Sequence, residues 1–156
     1  MERLIHDKYL SPEARNAVRI NELERFFSSD FYKSLSTATA IHRETRFNIF
    51  LSAKTFTKNE ALAENLQDEK LLVQGVIDLF YTDADGKLVL CDYKTDRLSP
   101  EELKDQDAAA RMLSNRHKEQ LSYYAMALAE ICGRAPDRIL IYSLPLGEAV
   151  EINLQA

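Results

Sequence analysis

Cysteine is scarce in this sequence. The chain has only two cysteines, Cys91 and Cys132, and each stands alone in an apolar segment. Zinc sites and iron–sulfur clusters normally need about four ligands in close pairs, so we expect neither group. Both cysteines are expected to be buried free thiols in a reducing cytoplasm.

Long apolar runs are also missing. No segment approaches the roughly 18 consecutive apolar residues of a membrane-spanning helix. The N-terminus is charged and lacks the apolar core of a signal peptide. We therefore expect a soluble, cytoplasmic domain that does not contact a membrane.

The sequence has no excess of positive charge, because its net charge is −5. Independent nucleic-acid-binding domains usually carry a basic surface, so this charge argues against one. The objection weakens if the carboxylates hold a cation, or if other parts of a larger protein hold the nucleic acid.

Apolar residues are plentiful enough for one compact domain, since 46% of the 156 residues are hydrophobic. Residues 1–38 are predicted to be helical. Ser11 and Pro12 have the residue types of a helix start. Apolar residues follow at helical spacing from Ile20 to Phe27, and residues 28–35 predict a further short helix.

From residue 41 the apolar residues alternate with polar ones, which is typical of a half-buried strand. The apolar side is expected to consist of Ile41, Phe47, Ile49 and Leu51, and the polar side of His42, Glu44, Arg46 and Asn48. Residues 57–70 are polar and are predicted to form a surface excursion.

Residues 71–82 (LLVQGVIDLFYT) and 87–95 (KLVLCDYKT) predict two strands joined by the turn DADG. Together they predict a β-hairpin. Both strands are apolar on both faces, which places the hairpin centrally in a sheet that is covered on both sides.

Ser99 to Glu102 form a capping-box sequence that predicts a helix start. A second helix is predicted from about His117 to Cys132, with Gly133 as its end. Two closing strands are expected around Leu146–Gly147. This order of elements predicts an α/β fold with helices on both faces of a sheet.

Asp92 and Lys94 share one face of their predicted strand, because side chains alternate with period two. Pairing across the turn places Asp78 opposite either Cys91 or Asp92. A one-residue bulge, such as Gly86 would supply, selects Asp92. The two carboxylates would then face each other with their Cβ atoms about 5 Å apart.

Two close carboxylates repel each other, and their burial is costly. Mg²⁺ relieves this repulsion, because one or two carboxylates, water and substrate phosphate commonly bind it. The backbone carbonyl of Tyr93 is well placed to complete the metal shell. The ion would polarise a phosphodiester and activate water, and Lys94 would orient that water or stabilise developing charge.

An ordinary ion pair at a strand end would also explain Asp92 and Lys94. The second acid at Asp78, with Gly75 three residues before it, favours the metal site, because a glycine within a strand often marks a close approach of the backbone.

Gln120 and Tyr124 are four residues apart and therefore lie on one face of the predicted helix. They lie beside a core-facing stripe made of Leu121, Ala125 and Leu128. The two polar side chains could contact a phosphate backbone or a base, although this pattern alone is ordinary helix surface.

Several spaced segments resemble the C-terminal nuclease domain of RecB-like helicase-nucleases in the PD-(D/E)XK superfamily. These segments are HRETRF, VQGVIDLFY, CDYKTDR, QLSYYAMAL and RILIYSLPLGEAVEI. The resemblance covers most of the chain. It implies a restriction-endonuclease-like α/β core with a central mixed sheet flanked by helices, in which a nuclease core at 39–156 follows the N-terminal helices at 1–38.

The resemblance implies that Asp78 and Asp92 are metal ligands and that Lys94 is the catalytic lysine. It also implies that Gln120 and Tyr124 form a QxxxY motif that supports the active site or the DNA contact. The implied cofactor is Mg²⁺, with Mn²⁺ as a substitute, and no iron–sulfur cluster.

Glu44 matches the acid of the family's RE strand, but an exposed alternating face explains it equally well. His42 is assigned to that face rather than to the metal. Related nucleases carry a histidine-bearing helix before the first strand, and His6 lacks that context. We expect this helix to precede residue 1, in a much longer parent protein of which this chain is a C-terminal part.

The expected function is that of a Mg²⁺-dependent exonuclease in an AddAB/RecBCD-type helicase-nuclease, acting in double-strand break repair by recombination. Its expected partners are a single DNA strand from unwound duplex, the helicase portion of the parent chain and an AddB-like partner protein. One alternative is a catalytically silent module for DNA binding or subunit docking. Another is a metal-dependent phosphohydrolase that acts on small substrates.

Overall fold

The computed structural model describes residues 18–154, together with residues 3, 6, 7, 9 and 11. The helix start predicted at Pro12 therefore lies outside the described residues. In chain order the elements are helices α1 (Ile20–Ser28) and α2 (Asp30–Leu35), strand β1 (Ala40–Ser52), a 3₁₀ turn (Ala53–Phe56), helix α3 (Glu60–Asn65), strands β2 (Lys70–Thr82) and β3 (Leu88–Lys94), helix α4 (Gln106–Cys132), and strands β4 (Arg138–Ser143) and β5 (Glu148–Glu151). Within this part of the chain, no helix is both long and apolar enough to cross a membrane.

The five strands form one mixed sheet in the order β1-β2-β3-β4-β5. Strands β3 and β4 are parallel, and the other neighbouring pairs are antiparallel. Parallel neighbours need a crossover connection, which helix α4 supplies. The predicted α/β class is confirmed, and the β2–β3 hairpin lies in the interior of the sheet as expected.

The two faces of the sheet have different cores. We call the side covered by α1 and α2 the aromatic face. Its buried core consists of Leu35, Leu79, Tyr81, Val89, Cys91, Leu140 and Tyr142. We call the opposite side the α4 face. Its buried residues are Phe47, Ile49, Ile77, Phe80, Leu88, Leu90, Leu113, Leu121, Ala127, Leu128, Ile141 and Ile152.

The alternation of β1 changes phase at Glu44. Ile41 packs into the aromatic face, whereas Phe47 packs into the α4 face. The prediction that these residues share one side is therefore wrong. Glu44 adopts a left-handed backbone conformation with φ of 49° and makes no ladder pair, although both of its neighbours pair with β2. This conformation is strained for a residue other than glycine, and it interrupts the regular alternation.

Helix α4 is longer than predicted, because it begins at Gln106 rather than at His117. The predicted capping box does form, since the Ser99 N–H donates to the Glu102 carboxylate at 2.6 Å and the Glu102 N–H donates to the Ser99 hydroxyl at 3.2 Å. It closes only an isolated turn. Asp105 is extended (φ −118°, ψ 97°) and caps α4 instead. Gly133 ends the helix with φ of 70°, as predicted.

Two predictions of burial are wrong. Leu71, Leu72 and Val76 in the first half of β2 are exposed. This half pairs only with β1, because the ladder between β2 and β3 begins at Leu79. Cys132 is exposed at the end of α4, whereas Cys91 is buried as expected. Burial raises the pKa of the Cys91 thiol.

Candidate active site

The turn between β2 and β3 decides which acidic residues face each other. Gly86 has a φ of 79°, which glycine adopts without strain. The register of the hairpin pairs Leu79 with Cys91. Continuing that register by one residue brings Asp78 opposite Asp92. Of the two pairings that the sequence allowed, this is the one that requires a one-residue bulge in the turn.

Asp78 occupies the point where the β2–β3 ladder ends. Its Oδ2 accepts a hydrogen bond from the backbone N–H of Tyr93 at 3.0 Å, so a side chain replaces the next ladder contact. The N–H and C=O of one strand residue point to the same side of the strand. The Tyr93 carbonyl therefore also faces β2.

Asp92 is a buried carboxylate, with 2% of its surface exposed. Among the described residues, only Asp92 and Ser143 are polar and buried. Burial raises the pKa of Asp92, Lys94 opposes that shift, and the charge of Asp78 adds to it. The first and last of these effects make an ionised Asp92 costly without a cation nearby.

Lys94 supplies one such cation. Its Nζ lies 2.5 Å from the Oδ2 of Asp92. This oxygen nevertheless lacks a well-aligned hydrogen-bond donor within the described part of the chain. The contact is an ion pair by distance, and Lys94 acts through it to lower the pKa of Asp92.

A line of polar side chains connects β3 with α4. Lys94 Nζ donates to Gln120 Oε1 at 2.8 Å, and Gln120 Nε2 donates to the hydroxyl of Tyr124 at 2.8 Å. The two contacts fix the orientation of the Gln120 amide, with its oxygen toward the ammonium group. Helical spacing predicted that Gln120 and Tyr124 share a face, and the structure adds that this face meets Lys94.

Gly75 makes room for an aromatic ring that supports this line. A Cβ atom at Gly75 would lie 2.7 Å from Cζ of Phe47. The Phe47 ring in turn packs edge-on against Tyr124, with centroids 5.8 Å apart. The predicted close approach at Gly75 is therefore present, and a side chain makes it rather than backbone.

A second charged cluster adjoins the first and was missed in the sequence. Asp96 accepts from Arg116 at 2.6 Å, and its other oxygen lies 3.0 Å from Nε2 of His117. Burial acts to raise the pKa of Asp96, but these two hydrogen bonds outweigh it and hold that pKa low. The positive charge of His117 would also lower the pKa of Asp92.

Spacing indicates only the two halves of this cluster. Asp96 follows Lys94 by two residues, and His117 precedes Gln120 by three, which is one turn of the same helix. The connection between Asp96 and His117 spans 21 residues, and no local pattern indicates it.

Glu44 and His42 lie on the edge strand next to this region. Glu44 is exposed and stands opposite Asp78 in the β1–β2 register, without pairing to it. The ring of His42 stacks on Phe80, with centroids 4.5 Å apart.

The donor set partly fits a hard divalent cation. Asp78, Asp92 and the Tyr93 carbonyl offer oxygen atoms, the type that Mg²⁺ prefers. In the part of the chain that is described, no group of three or more His, Cys, Asp or Glu residues is arranged to hold a metal. Water and a substrate phosphate would therefore have to supply the remaining ligands. The structural observation that favours a cation here is the charge of Asp78 acting on the buried Asp92, because Lys94 supplies one positive charge against two carboxylates.

The fold and the D…DxK arrangement define the class of this protein. The family model of the PD-(D/E)XK nuclease superfamily matches residues 1–151. The chain belongs to this superfamily, which confirms the predicted restriction-endonuclease-like fold.

The particular relatives are subunits of ATP-dependent helicase/nucleases. The chain is 37% identical over 130 residues to such a protein from Bacillus velezensis, covering 83% of this chain and 10% of that protein. It is 31% identical over 148 residues to the counterpart from Thermoanaerobacter sp., covering 95% of this chain and 11% of that protein. The counterpart from Clostridium novyi is 28% identical over 154 residues, covering 98% of this chain and 12% of that protein. The chain thus spans only about a tenth of the length of these curated relatives.

Proposed function

We propose that this nuclease domain hydrolyses the phosphodiesters of single-stranded DNA with the help of Mg²⁺ or Mn²⁺. The observation that carries the proposal is the buried Asp92, which lies beside Lys94 and, with Asp78, at the point where the ladder between two interior strands ends. Charges are rarely buried in this way without a compensating partner.

Asp78, Asp92 and the Tyr93 carbonyl would hold the cation. When bound, the ion would polarise a phosphodiester and lower the pKa of a water molecule. The chain's own part is to keep two carboxylates rigid, with Asp78 fixed by the Tyr93 N–H and Asp92 by its place in a buried strand.

Lys94 is proposed as the group that contacts the reacting phosphate. An ammonium group has three hydrogens to donate. Asp92 and Gln120 contact the group at 2.5 and 2.8 Å, which leaves one hydrogen for a phosphate oxygen or for water. Gln120 holds the ammonium in place, and Tyr124 holds Gln120. In this arrangement Gln120 and Tyr124 act as positioning residues.

The wider setting is part of the same proposal. We propose an exonuclease that digests a strand unwound by the helicase portion of a longer cytoplasmic chain, with an AddB-like partner protein, in double-strand break repair by recombination. The names of the relatives support the link between helicase and nuclease. Delivery of the strand by a motor also suits a domain with a net charge of −5, since the domain need not capture DNA alone.

The test is degradation of single-stranded DNA by the full-length protein with Mg²⁺ or Mn²⁺. Asp92→Ala is expected to abolish cutting because it removes a metal ligand. Asp85→Ala is the matched control, because Asp85 is an exposed acid in the turn of the same hairpin. Equal degradation by the wild type and Asp92→Ala would contradict the proposal and leave DNA binding or docking as the role of the domain.

A circular single strand separates the two modes of cutting. An exonuclease needs a free end, so the circle is expected to survive while a linear strand of the same sequence is degraded. Degradation of both at one rate would contradict the exonuclease part of the proposal and leave the nuclease part intact.

A further inference from the structure

A partly exposed aromatic pair joins α4 to the turn that follows β1, beside helix residues that support the candidate active site. Phe56, at the end of the 3₁₀ turn that follows β1, stacks on Tyr123 with ring centroids 5.3 Å apart and the planes 24° from parallel. Phe56 is 41% exposed, so much of its ring remains open to solvent. Tyr123 is fixed from the other end, because its hydroxyl donates to Glu119 at 3.1 Å.

A groove of about 420 Å³ is lined by Tyr123 of this pair and by Thr55, the residue before Phe56. Its lining includes Lys58, Asn115, Lys118, Tyr123 and Met126. The groove also contains the carboxylate of Glu119, so its two lysines leave an excess of one positive charge. Together with an amide and an aromatic ring, this excess suits a ligand that combines negative charge with flat, apolar rings. This local chemistry contrasts with the net negative charge of the whole chain.

The groove residues Glu119 and Tyr123 are immediate neighbours in the chain of Gln120 and Tyr124, which support the candidate active site. Phe47 packs on Tyr124 and Phe56 packs on Tyr123. Two adjacent stripes of α4 therefore carry the support of the active site and Tyr123 of the aromatic pair.

We propose that Phe56 and Tyr123 form a stacking platform for unpaired bases of the DNA strand whose backbone crosses the candidate active site, with Lys58 beside its phosphates. The inference rests on the proposed nuclease function and adds a binding site to it. Stacking of bases on aromatic rings tolerates any sequence, since every base has a flat face. Bases in a duplex are already paired and stacked, so such a platform favours single strands.

Simple packing of residues 53–58 onto α4 is the competing explanation for the aromatic pair. Phe56→Leu separates the two explanations, because leucine preserves an apolar side chain but has no ring face for a base. Phe50→Leu is the matched control. Phe50 is 63% exposed and alternates to the opposite face of β1, away from the groove.

The first measurement is the steady-state hydrolysis of an oligothymidylate by the full-length protein with Mg²⁺. Base stacking on an aromatic side chain is typically worth enough to change affinity about tenfold. Phe56→Leu is therefore expected to raise KM about tenfold and to leave kcat unchanged, whereas Phe50→Leu changes neither. An unchanged KM in Phe56→Leu would overturn the inference.

Abasic oligonucleotides test the same idea through the ligand. Removing the bases beside the cutting site is expected to raise KM for the wild type but not to raise it further for Phe56→Leu, because the variant has already lost the stacking partner. If the variant and the wild type lose affinity equally on the abasic strand, the platform does not bind bases.

Binding without metal keeps this inference separate from the nuclease proposal. In EDTA, the fluorescence anisotropy of a labelled oligothymidylate is expected to show about tenfold weaker binding by Phe56→Leu than by the wild type. Equal affinity would overturn the platform even if Asp92→Ala abolishes cutting. Weaker binding would support it even if Asp92→Ala still cuts.

Discussion

The two faces of the sheet arise from the same strands but differ in chemistry. On β3, Cys91 and Tyr93 point to the aromatic face, whereas Asp92 and Lys94 point to the α4 face. The aromatic face is closed by ring contacts, and the α4 face becomes ionic where β3 ends. Because side chains alternate with period two, one strand contributes to an apolar core and to the candidate site at once.

The aromatic face explains how the opposite face can hold charges in place. Phe26 contacts Tyr93 and Tyr142, with ring centroids 5.7 and 4.9 Å apart, respectively. These contacts pack against the ends of β3 and β4 on the side of the sheet opposite to the candidate site. A metal site needs ligands on a rigid support, and the aromatic core supplies that rigidity. The comparison therefore predicts that the α4 face governs activity and the aromatic face governs stability.

The largest expected effect is on the α4 face. Lys94→Ala is expected to lower the rate of DNA cleavage by about a hundredfold or more, because it removes a charge aimed at the reacting phosphate. Metal binding, measured by calorimetry, is expected to persist because both carboxylates remain. Lys87→Ala is the control, since Lys87 is exposed just before the same strand. A Lys94→Ala variant that lost the metal but still cut DNA would refute the assigned role.

The next effect is on the aromatic face. Phe31 contacts the rings of Phe26, Tyr81 and Tyr142, and Phe31→Ala is expected to lower the free energy of unfolding by about 3 kcal/mol. Chemical denaturation measures this loss, and kcat is expected to be unchanged where the variant is folded. Asp30→Ala, at a side chain that is 99% exposed and pairs with Lys33, should lower the free energy of unfolding far less and leave kcat unchanged. A large drop in kcat for Phe31→Ala would show that the two faces are not separable.

Gly75→Ala sharpens the comparison, because it affects stability and activity together. Its Cβ would meet the Phe47 ring at 2.7 Å, and overpacking of this kind costs about 1–3 kcal/mol. Displacement of Phe47 would also disturb Tyr124, so a modest fall in kcat is expected. Adding Phe47→Leu should recover stability by making space. If the double variant is less stable than Gly75→Ala alone, the clash is not the cause.

The smallest effect concerns pH. The pKa of Asp96 is held low despite burial by the hydrogen bonds from Arg116 and His117. A carboxyl group with a lowered folded-state pKa stabilises the protein above its unfolded pKa of about 3.9, and this contribution is lost as pH falls through the folded pKa. The difference in unfolding free energy between the wild type and Asp96→Asn should therefore shrink on acidification below about pH 4.

The exposed pair of Glu151 with Arg138 provides the reference for this pH effect. The pKa of Glu151 is also lowered, first by its hydrogen bonds to Arg138, so Glu151→Gln should behave in the same direction. Its effect is expected to be smaller because solvent screens an exposed pair. A pH-independent difference for Asp96→Asn would show that its ion pairs do not stabilise the fold.

Local patterns predicted the strands, the hairpin and the two residue pairs of the candidate site. The DxK and QxxxY spacings each follow from one periodicity, whereas pairing across the turn left both Cys91 and Asp92 open as the residue opposite Asp78. Local patterns failed where a single residue departs from its element. Examples are the left-handed Glu44, which reverses the faces of β1, and the extended Asp105, which moves the start of α4.

The sequence by itself determined which residues share a strand or a helix face, because periods of two and 3.6 residues are properties of the local backbone. It could not determine which face of a helix packs against which face of the sheet. The contacts of Lys94 with Gln120, of Asp96 with His117, and of Phe56 with Tyr123 each join residues more than 20 positions apart. Only the packing of α4 across β3 and β4 decided them, because that packing depends on the shape of the whole core.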